Sequence, residues 1–416
     1  MKYCRECVMP DTRPGMKFND KGVCYPCVNA KRRKEVDWKR RQKELRKLCD
    51  KYRKNDGTHD CIVTVSGGKD SWFQVYVMKE VMGMNPLLIN VWNLSWTATG
   101  IENFNNMSNY FSTECISLHM NRKVSREMMK KAFFKLGSPT WYWDKAVYVY
   151  PIKMAIALKI PLVVYGENIA YEYGGPGAKE SYSALDQMTN DVVKPVENEE
   201  WLDDIITVKD MNYVTPPIKI VQESVEPIYL SYFFPWDGFK NMSLVSGMGF
   251  KTLGDTGEWI RQGFIEDYDQ IDSPGYLVHP WLKYPKFGHC RATDVASNLI
   301  RNGYLTRKMG IELVKQHDHK LDPRALRDFL SFTGIPPIKF FEKVDCLYNR
   351  ELFFKDGDVW KLKNPIWEEE ENGRQGDNQA NDVHKHRGGT STSPDGDSTR
   401  EPNQTTSESG FKGADI

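Results

Sequence analysis

The chain lacks any apolar run of about 18 residues, the length a helix needs to cross a bilayer, and its opening, MKYCRECVMP, has no apolar signal-peptide core. Those absences argue against a helical membrane span and predict a soluble, cytoplasmic protein. Charge of one sign is also scarce. Lys and Arg number 57 against 56 Asp and Glu, a net +1, so a dedicated nucleic-acid binder is not expected. No internal repeat is visible. Without a secretion signal, the nine cysteines point to metal or free thiols rather than disulfides.

What is present centres on Cys61 to Ser71, CIVTV followed by SGGKDS. The first five residues predict a buried parallel strand. Ser66-Gly67-Gly68-Lys69-Asp70-Ser71 makes a turn, and Trp72 to Met82 is apolar enough for a buried helix. Strand, glycine turn and helix N-terminus together build an anion site. Two glycines let backbone N–H groups approach an oxyanion, Ser66 and Ser71 add hydroxyls, and the helix dipole favours negative charge. This is not a Walker A motif, which ends in Gly-Lys-Ser/Thr. Ser-Gly-Gly-x-Asp-Ser instead resembles the PP-loop of the ATP pyrophosphatases, which cleave ATP between its α and β phosphates.

Residues 1–30 hold Cys4-x-x-Cys7 and Cys24-x-x-Cys27. Four thiolates on two tight turns match a structural zinc ribbon with no open coordination position. Residues 31–57 read as a basic connecting helix. Lys31 to Lys54 carries thirteen basic against four acidic residues, which keeps an RNA-binding arm as the other reading. From residue 58 to 307 strands alternate with helices: Leu87–Trp92, Cys115–Leu118 and Pro161–Tyr165 are apolar, with helical segments between them. That rhythm predicts an α/β fold with a doubly wound parallel sheet and ligands at the carboxyl ends of its strands.

Glu167, just past the strand ending at Tyr165, is a candidate site carboxylate, the other reading being a helix N-cap neighbour. The interval from about 176 to 250 loses the periodicity and reads as an insertion. Within it, YLSYFFPWD (Tyr229 to Asp237) is expected to be an aromatic strand, either core or a wall for sugar rings. Lys283 to Arg307 concentrates Lys283, Lys286, His289, Arg291, Asp294, Arg301 and Arg307 and looks like an anion clamp. Residues 308–367 predict a helical C-terminal region. From 368 to 416 the composition predicts a disordered tail.

In this order, the cysteine pairs, SGGKDS, GENIAYEYGG, YFFPWD and KFGHCRATDVASNLIRNGYLTR resemble the N-acetyl sugar amidotransferases, PP-loop proteins of lipopolysaccharide, O-antigen and pseudaminic-acid-type sugar synthesis. The resemblance covers about residues 1–367. It implies conversion of a sugar's acetamido group to an acetamidino group with ATP, Mg²⁺ and ammonia, the substrate being an N-acetylated sugar or sugar nucleotide. On that reading Ser66, Gly67, Gly68, Lys69, Ser71 and Lys286 bind ATP, and Asp70 binds Mg²⁺. Asp70, Lys69, Glu167 and Arg291 are then the catalytic set. No glutaminase elbow is present: residue 2 is lysine, and Cys115, Cys290 and Cys346 lie in TECIS, GHCRA and VDCLY. The implied ammonia source is a separate glutaminase subunit. A tRNA thiolase is the alternative within the superfamily. Against it, Cys61, Cys115 and Cys290 are isolated, with no catalytic cysteine pair. A zinc-ribbon scaffold with a degenerate nucleotide site is the non-enzymatic alternative, disfavoured by the intact loop.

Overall fold

Short apolar runs form five parallel strands: β1 (Cys61–Thr64), β2 (Pro86–Val91), β3 (Cys115–Leu118), β4 (Leu162–Tyr165) and β5 (Glu226–Tyr229). They lie in the order β3-β2-β1-β4-β5. Ile62 sits opposite Leu87 on one side and Val163 on the other. The computed structural model describes residues 1–175, 180–189, 198–219 and 224–368. Alternation along the strands feeds two cores. Val63, Leu88, Val164 and Ile228 pack with Trp72 and Met78 on one face. Ile62, Leu87, Ile89 and Val163 pack with Ile152 and Ala155 on the other. Burial on both faces is the reason the central strands β1, β2 and β4 read as continuous apolar runs.

The helices of this layer and its N-terminal approach are α1 (Tyr25–Arg33), α2 (Trp38–Tyr52), α3 (Lys69–Tyr76), α4 (Ala98–Phe111), α5 (Arg122–Leu136), α6 (Trp141–Leu158) and α7 (Ile169–Tyr173). The helix expected after SGGKDS is α3 continued by one π turn, Val77–Val81. The single basic helix expected over 31–57 is instead two. They break at Asp37, whose carboxylate accepts from Arg40 N at 3.0 Å and so starts α2 anew. Several of the basic side chains there are tied to the protein: Arg41 donates to the Tyr232 carbonyl at 3.0 Å, Arg53 donates to the Met82 carbonyl at 2.8 Å, and the exposed Lys51 pairs with Glu226 at 2.9 Å.

The interval read as an insertion contributes to the sheet. β5 is its outer strand, and the helix Gly238–Ser246 packs on α3. The aromatic stretch is not a strand: β5 ends at Tyr229, and Leu230–Tyr232 is a 3₁₀ turn. Beyond residue 307 come the helices Arg307–His317, Pro323–Thr333 and Pro337–Leu347. An unexpected hairpin, β6 (Phe353–Asp356) with β7 (Val359–Leu362), follows them. Gly357 at φ +60° makes its two-residue turn, a signal present in the sequence as Gly357-Asp358. The tail expected to be disordered lies, from residue 369 on, outside the described residues. Among the described residues no helix is long and apolar enough to cross a membrane.

Candidate active site

A cavity of about 470 Å³ opens over the carboxyl ends of β1, β2 and β4. Adjacent β1 and β4 carry their crossovers in opposite directions along the sheet, and such a switch point leaves a crevice between their outgoing loops. The turn after β1 supplies Ser66 and Gly68, and the first turn of α3 supplies Lys69, Asp70 and Ser71; the loop after β4 supplies Gly166 and Glu167.

The glycine turn has two separate reasons to be glycine. Gly67 has φ +90°, and a Cβ there would lie 2.9 Å from Phe104 Cβ, so any side chain would be strained and crowded. Ser66 N donates to Ser71 Oγ at 2.8 Å, tying the two ends of the turn together. Gly68, the N-cap of α3, offers no side-chain cap, which leaves the first helical N–H groups available to an anion.

Across the cavity lies a ladder of alternating charge. Lys69, 3% exposed, pairs with Asp70 at 2.7 Å and with Asp269. The other oxygen of Asp269 pairs with Arg291. Asn241 Nδ2 donates to Asp70 Oδ1 at 2.9 Å, so the helix Gly238–Ser246 fixes that carboxylate. Burial disfavours charge on Lys69, but Asp269 and Asp70 outweigh it and hold its pKa well above the usual lysine value. Burial likewise opposes ionisation of Asp269, yet Lys69 and Arg291 keep its carboxyl well below the usual range. Further along, Asp294 bridges Lys283 and Arg13; the two cations overcome burial and depress its pKa.

Two other carboxyls are pushed the opposite way. Glu167 rises to about 7 through burial and the neighbouring charge of Asp70. Asp144 on α6 rises to about 7 through burial, opposed by hydrogen bonds from Thr140 Oγ1 at 2.6 Å and Tyr276 OH at 3.3 Å. Carboxyls balanced near neutrality beside carboxylates held ionised are what acid–base chemistry and cation binding each require.

Of the residues singled out from the sequence, Ser66, Gly68, Lys69, Asp70, Ser71, Glu167 and Arg291 come together around this cavity, with Gly67 shaping the loop behind them. Lys286 does not line it. Its Nζ donates to the Gly137 carbonyl at the end of α5, at 2.8 Å, and burial with Lys283 lowers its pKa to about 8. The aromatic walls come from elsewhere than YFFPWD: Trp143, Tyr148, Tyr268 and Tyr276 line the cavity, whereas Phe234 is core. Sequence reasoning missed Asp269, Asp144, Asp272 and Arg13. For Asp269 a signal existed in the acidic run Glu266 to Asp272 just before the basic stretch.

The four ribbon cysteines are buried, their sulfurs within 4.8 Å of one another. Cys4 and Cys27 sulfurs are 3.9 Å apart, Cys7 and Cys24 3.7 Å. A tetrahedron with Zn–S bonds of about 2.3 Å has edges of about 3.8 Å, so the set fits zinc. Backbone N–H groups of Glu6 and Cys24 point at Cys4 Sγ at 3.4 and 3.3 Å, favouring thiolate. For Mg²⁺, Asp70 offers a hard carboxylate oxygen in the cavity wall, the donor type that ion takes.

Residues 262–366 match a family model described as LPS biosynthesis protein WbpG-like, C-terminal domain. The chain is also 22% identical over 237 residues to an uncharacterized protein of Methanocaldococcus jannaschii, covering 56% of this chain and 84% of that protein. The segment matching the family model contains Asp269, Arg291 and Asp294, the wall facing the glycine loop.

Proposed function

We propose that this protein acts in polysaccharide biosynthesis as an ATP-dependent amidotransferase, converting the N-acetyl group of a sugar or sugar nucleotide to an acetamidino group. The observation that carries this reading is the meeting of a PP-loop-like anion turn with a lipopolysaccharide-biosynthesis domain in the walls of one cavity. An amide oxygen is a poor leaving group. It attacks the α-phosphorus of ATP, pyrophosphate departs, and the amide carbon, now bearing an adenylated oxygen, becomes open to ammonia. Ammonia adds, a proton passes to a carboxylate, and AMP leaves with the former amide oxygen.

The chain's residues take roles that follow from their positions. Backbone N–H groups at Gly67, Gly68 and Ser71, with the Ser66 hydroxyl, hold the pyrophosphate. Lys69 and Arg291, kept cationic by Asp269, face the charge that develops as it leaves. Glu167, poised near neutrality, takes the proton from the added ammonia. Asp70 would hold Mg²⁺, which neutralises phosphate charge when bound. Ammonia comes from a separate glutaminase subunit.

Among the described residues no cysteine lines the cavity, and Cys61 is sealed inside β1, which weighs against the thiolase alternative. The test is product analysis with Mg²⁺, ammonia and candidate N-acetyl sugars. AMP and pyrophosphate are expected, with ammonia but not glutamine supporting turnover by the isolated chain. ADP as product, or turnover on glutamine alone, refutes the adenylation step or the separate subunit respectively.

A further inference from the structure

The ribbon reaches beyond its own metal site. Between the two knuckles, Arg13 Nη1 pairs with Asp294 at 2.6 Å, and Arg13 Nε donates to the Gly174 carbonyl at 3.1 Å. Its guanidinium stands 5.9 Å from the Tyr173 ring centre. Thr12 Oγ1 donates to the Phe287 carbonyl. Met16 packs so tightly on Gly174 that a Cβ there would lie 2.5 Å from its Cε. From the other side, Arg307 Nε donates to the carbonyls of Cys4 and Cys7 at 3.4 and 3.2 Å. Arg13, Tyr173, Lys283 and Asp294 all line the cavity.

The ribbon's own core cluster is Cys4, Cys7, Cys24 and Cys27 with Met9 and Val23, so four of the six buried side chains in that cluster are the thiols themselves; Val8 packs separately, against Ala296, Ile311, Val314 and Ile366. Without metal, the cluster on which the Arg13 loop closes loses the bonds that tie its four thiolates together, and the buried apolar side chains left in it are Met9 and Val23.

We propose that the ribbon is a wall of the cavity: metal at Cys4, Cys7, Cys24 and Cys27 holds Arg13 against Asp294, and Arg13 is thereby the positioning residue for Asp294 and Lys283. Metal occupancy then sets the ligand affinity of the cavity as well as the stability of the ribbon. The identity of the ligand rests on the proposed function; the mechanical coupling does not.

The experiment uses the full chain in four forms: metal-loaded, metal-stripped by chelation, Arg13→Ala and Arg13→Lys. Zinc content, hydrogen exchange over 171–175 and 283–297, and Mg-ATP affinity are measured for each. Arg13→Ala is expected to keep its metal, to speed exchange in both segments, and to weaken Mg-ATP binding about tenfold. Arg13→Lys, still able to pair with Asp294, should recover most of that affinity. Stripping should speed exchange in the same two segments, and stripped Arg13→Ala should bind no more weakly than stripped wild type, since the two perturbations remove one interaction. Faster exchange confined to residues 1–30 after stripping, or additive losses, overturns the coupling. If loaded wild type binds no Mg-ATP, the nucleotide reading fails while the exchange comparison still decides the coupling.

Discussion

The wall built by Ser66–Ser71 and the wall built by Asp269–Asp294 face each other across one cavity, yet they are made in different ways. The first is local: strand, turn and helix follow within eleven residues, and each position can be explained by its neighbours in the chain. The second is assembled at a distance. Asp269 owes its ionised state to Lys69, two hundred positions earlier, and to Arg291, and Asp294 shares its charge with Arg13 of the ribbon. A local wall can be read from a motif. A distributed wall exists only once the fold has closed, and its members look like ordinary surface charges until then.

The largest effect should come from breaking the distributed wall at its middle. Asp269→Ala leaves Lys69 and Arg291 facing each other with one carboxylate removed, and an unpaired buried charge costs about 3 kcal/mol. Turnover should fall along with stability, measured by urea unfolding at pH 7. Because the Asp269 pKa is depressed in the fold, its contribution is complete above the unfolded value of about 3.9. It is lost as pH falls from there through the folded value. The gap between wild type and variant should therefore close in acid. A gap that persists unchanged below that range would show that the loss is packing rather than charge.

Asp70→Asn tests the local wall and should behave differently. The amide keeps the size, but its single oxygen can serve either Asn241 or Lys69, and Lys69 keeps Asp269 as its partner. Stability should fall less than in Asp269→Ala, whereas turnover should fall about 10²- to 10³-fold if a metal-binding charge has been removed. Equal losses of stability for Asp70→Asn and Asp269→Ala would erase the distinction between the walls.

This contrast also explains what could be read in advance. The strands β1, β2 and β4 are legible because burial on both faces demands uninterrupted apolar runs; Cys115–Leu118, a half-buried edge strand, is legible to the residue from its short mostly apolar run between helical segments. The glycine turn and the cysteine pairs were legible because their spacing is local. β5 was not: Glu226–Tyr229 contains a proline and borders an aromatic run, and nothing short-range distinguishes EPIY as an edge strand from YLSY as the turn after it. Lys286 was placed in the site because it shares a basic segment with Arg291. Chain proximity does not determine which way a side chain points, and helical geometry sends Lys286 to Gly137. Asp144 could not be weighed at all, since its raised pKa is a property of burial under Tyr276.

The rim between the walls holds Glu167, and pH is the probe suited to it. In the proposed role of proton acceptor it must be ionised, so turnover should rise as pH passes about 7, and Glu167→Gln should abolish most activity together with that limb. Its effect on stability has the opposite sign to that of Asp269. A carboxyl whose pKa is raised by folding stabilises the fold below its unfolded value and loses that contribution as pH rises through the folded value. Glu167→Gln should therefore be the more stable protein above pH 7. Greater stability of wild type there would mean that ionised Glu167 has a partner in the fold that offsets its burial.

The smallest effect is expected at Lys286. It belongs by sequence to the distributed wall, but its Nζ caps the Gly137 carbonyl at the end of α5 and does not reach the cavity. Lys286→Met keeps the aliphatic stem and deletes one hydrogen bond, worth about 1 kcal/mol of stability. Burial and Lys283 lower the Lys286 pKa to about 8, below that of a free lysine. Its charge is thus disfavoured by folding: the neutral amine gains relative stability as pH rises through 8, whereas the cation costs some below it. The variant's stability deficit should consequently be smallest, or reversed, below pH 8 and grow as pH rises from there toward the unfolded value of about 10.4. Mg-ATP affinity and turnover should stay within about threefold of wild type, because no atom of the side chain lies where phosphate would bind. A loss of nucleotide affinity comparable to that of Arg291→Ala would return Lys286 to the binding site and show that the end of α5 moves when ligand enters.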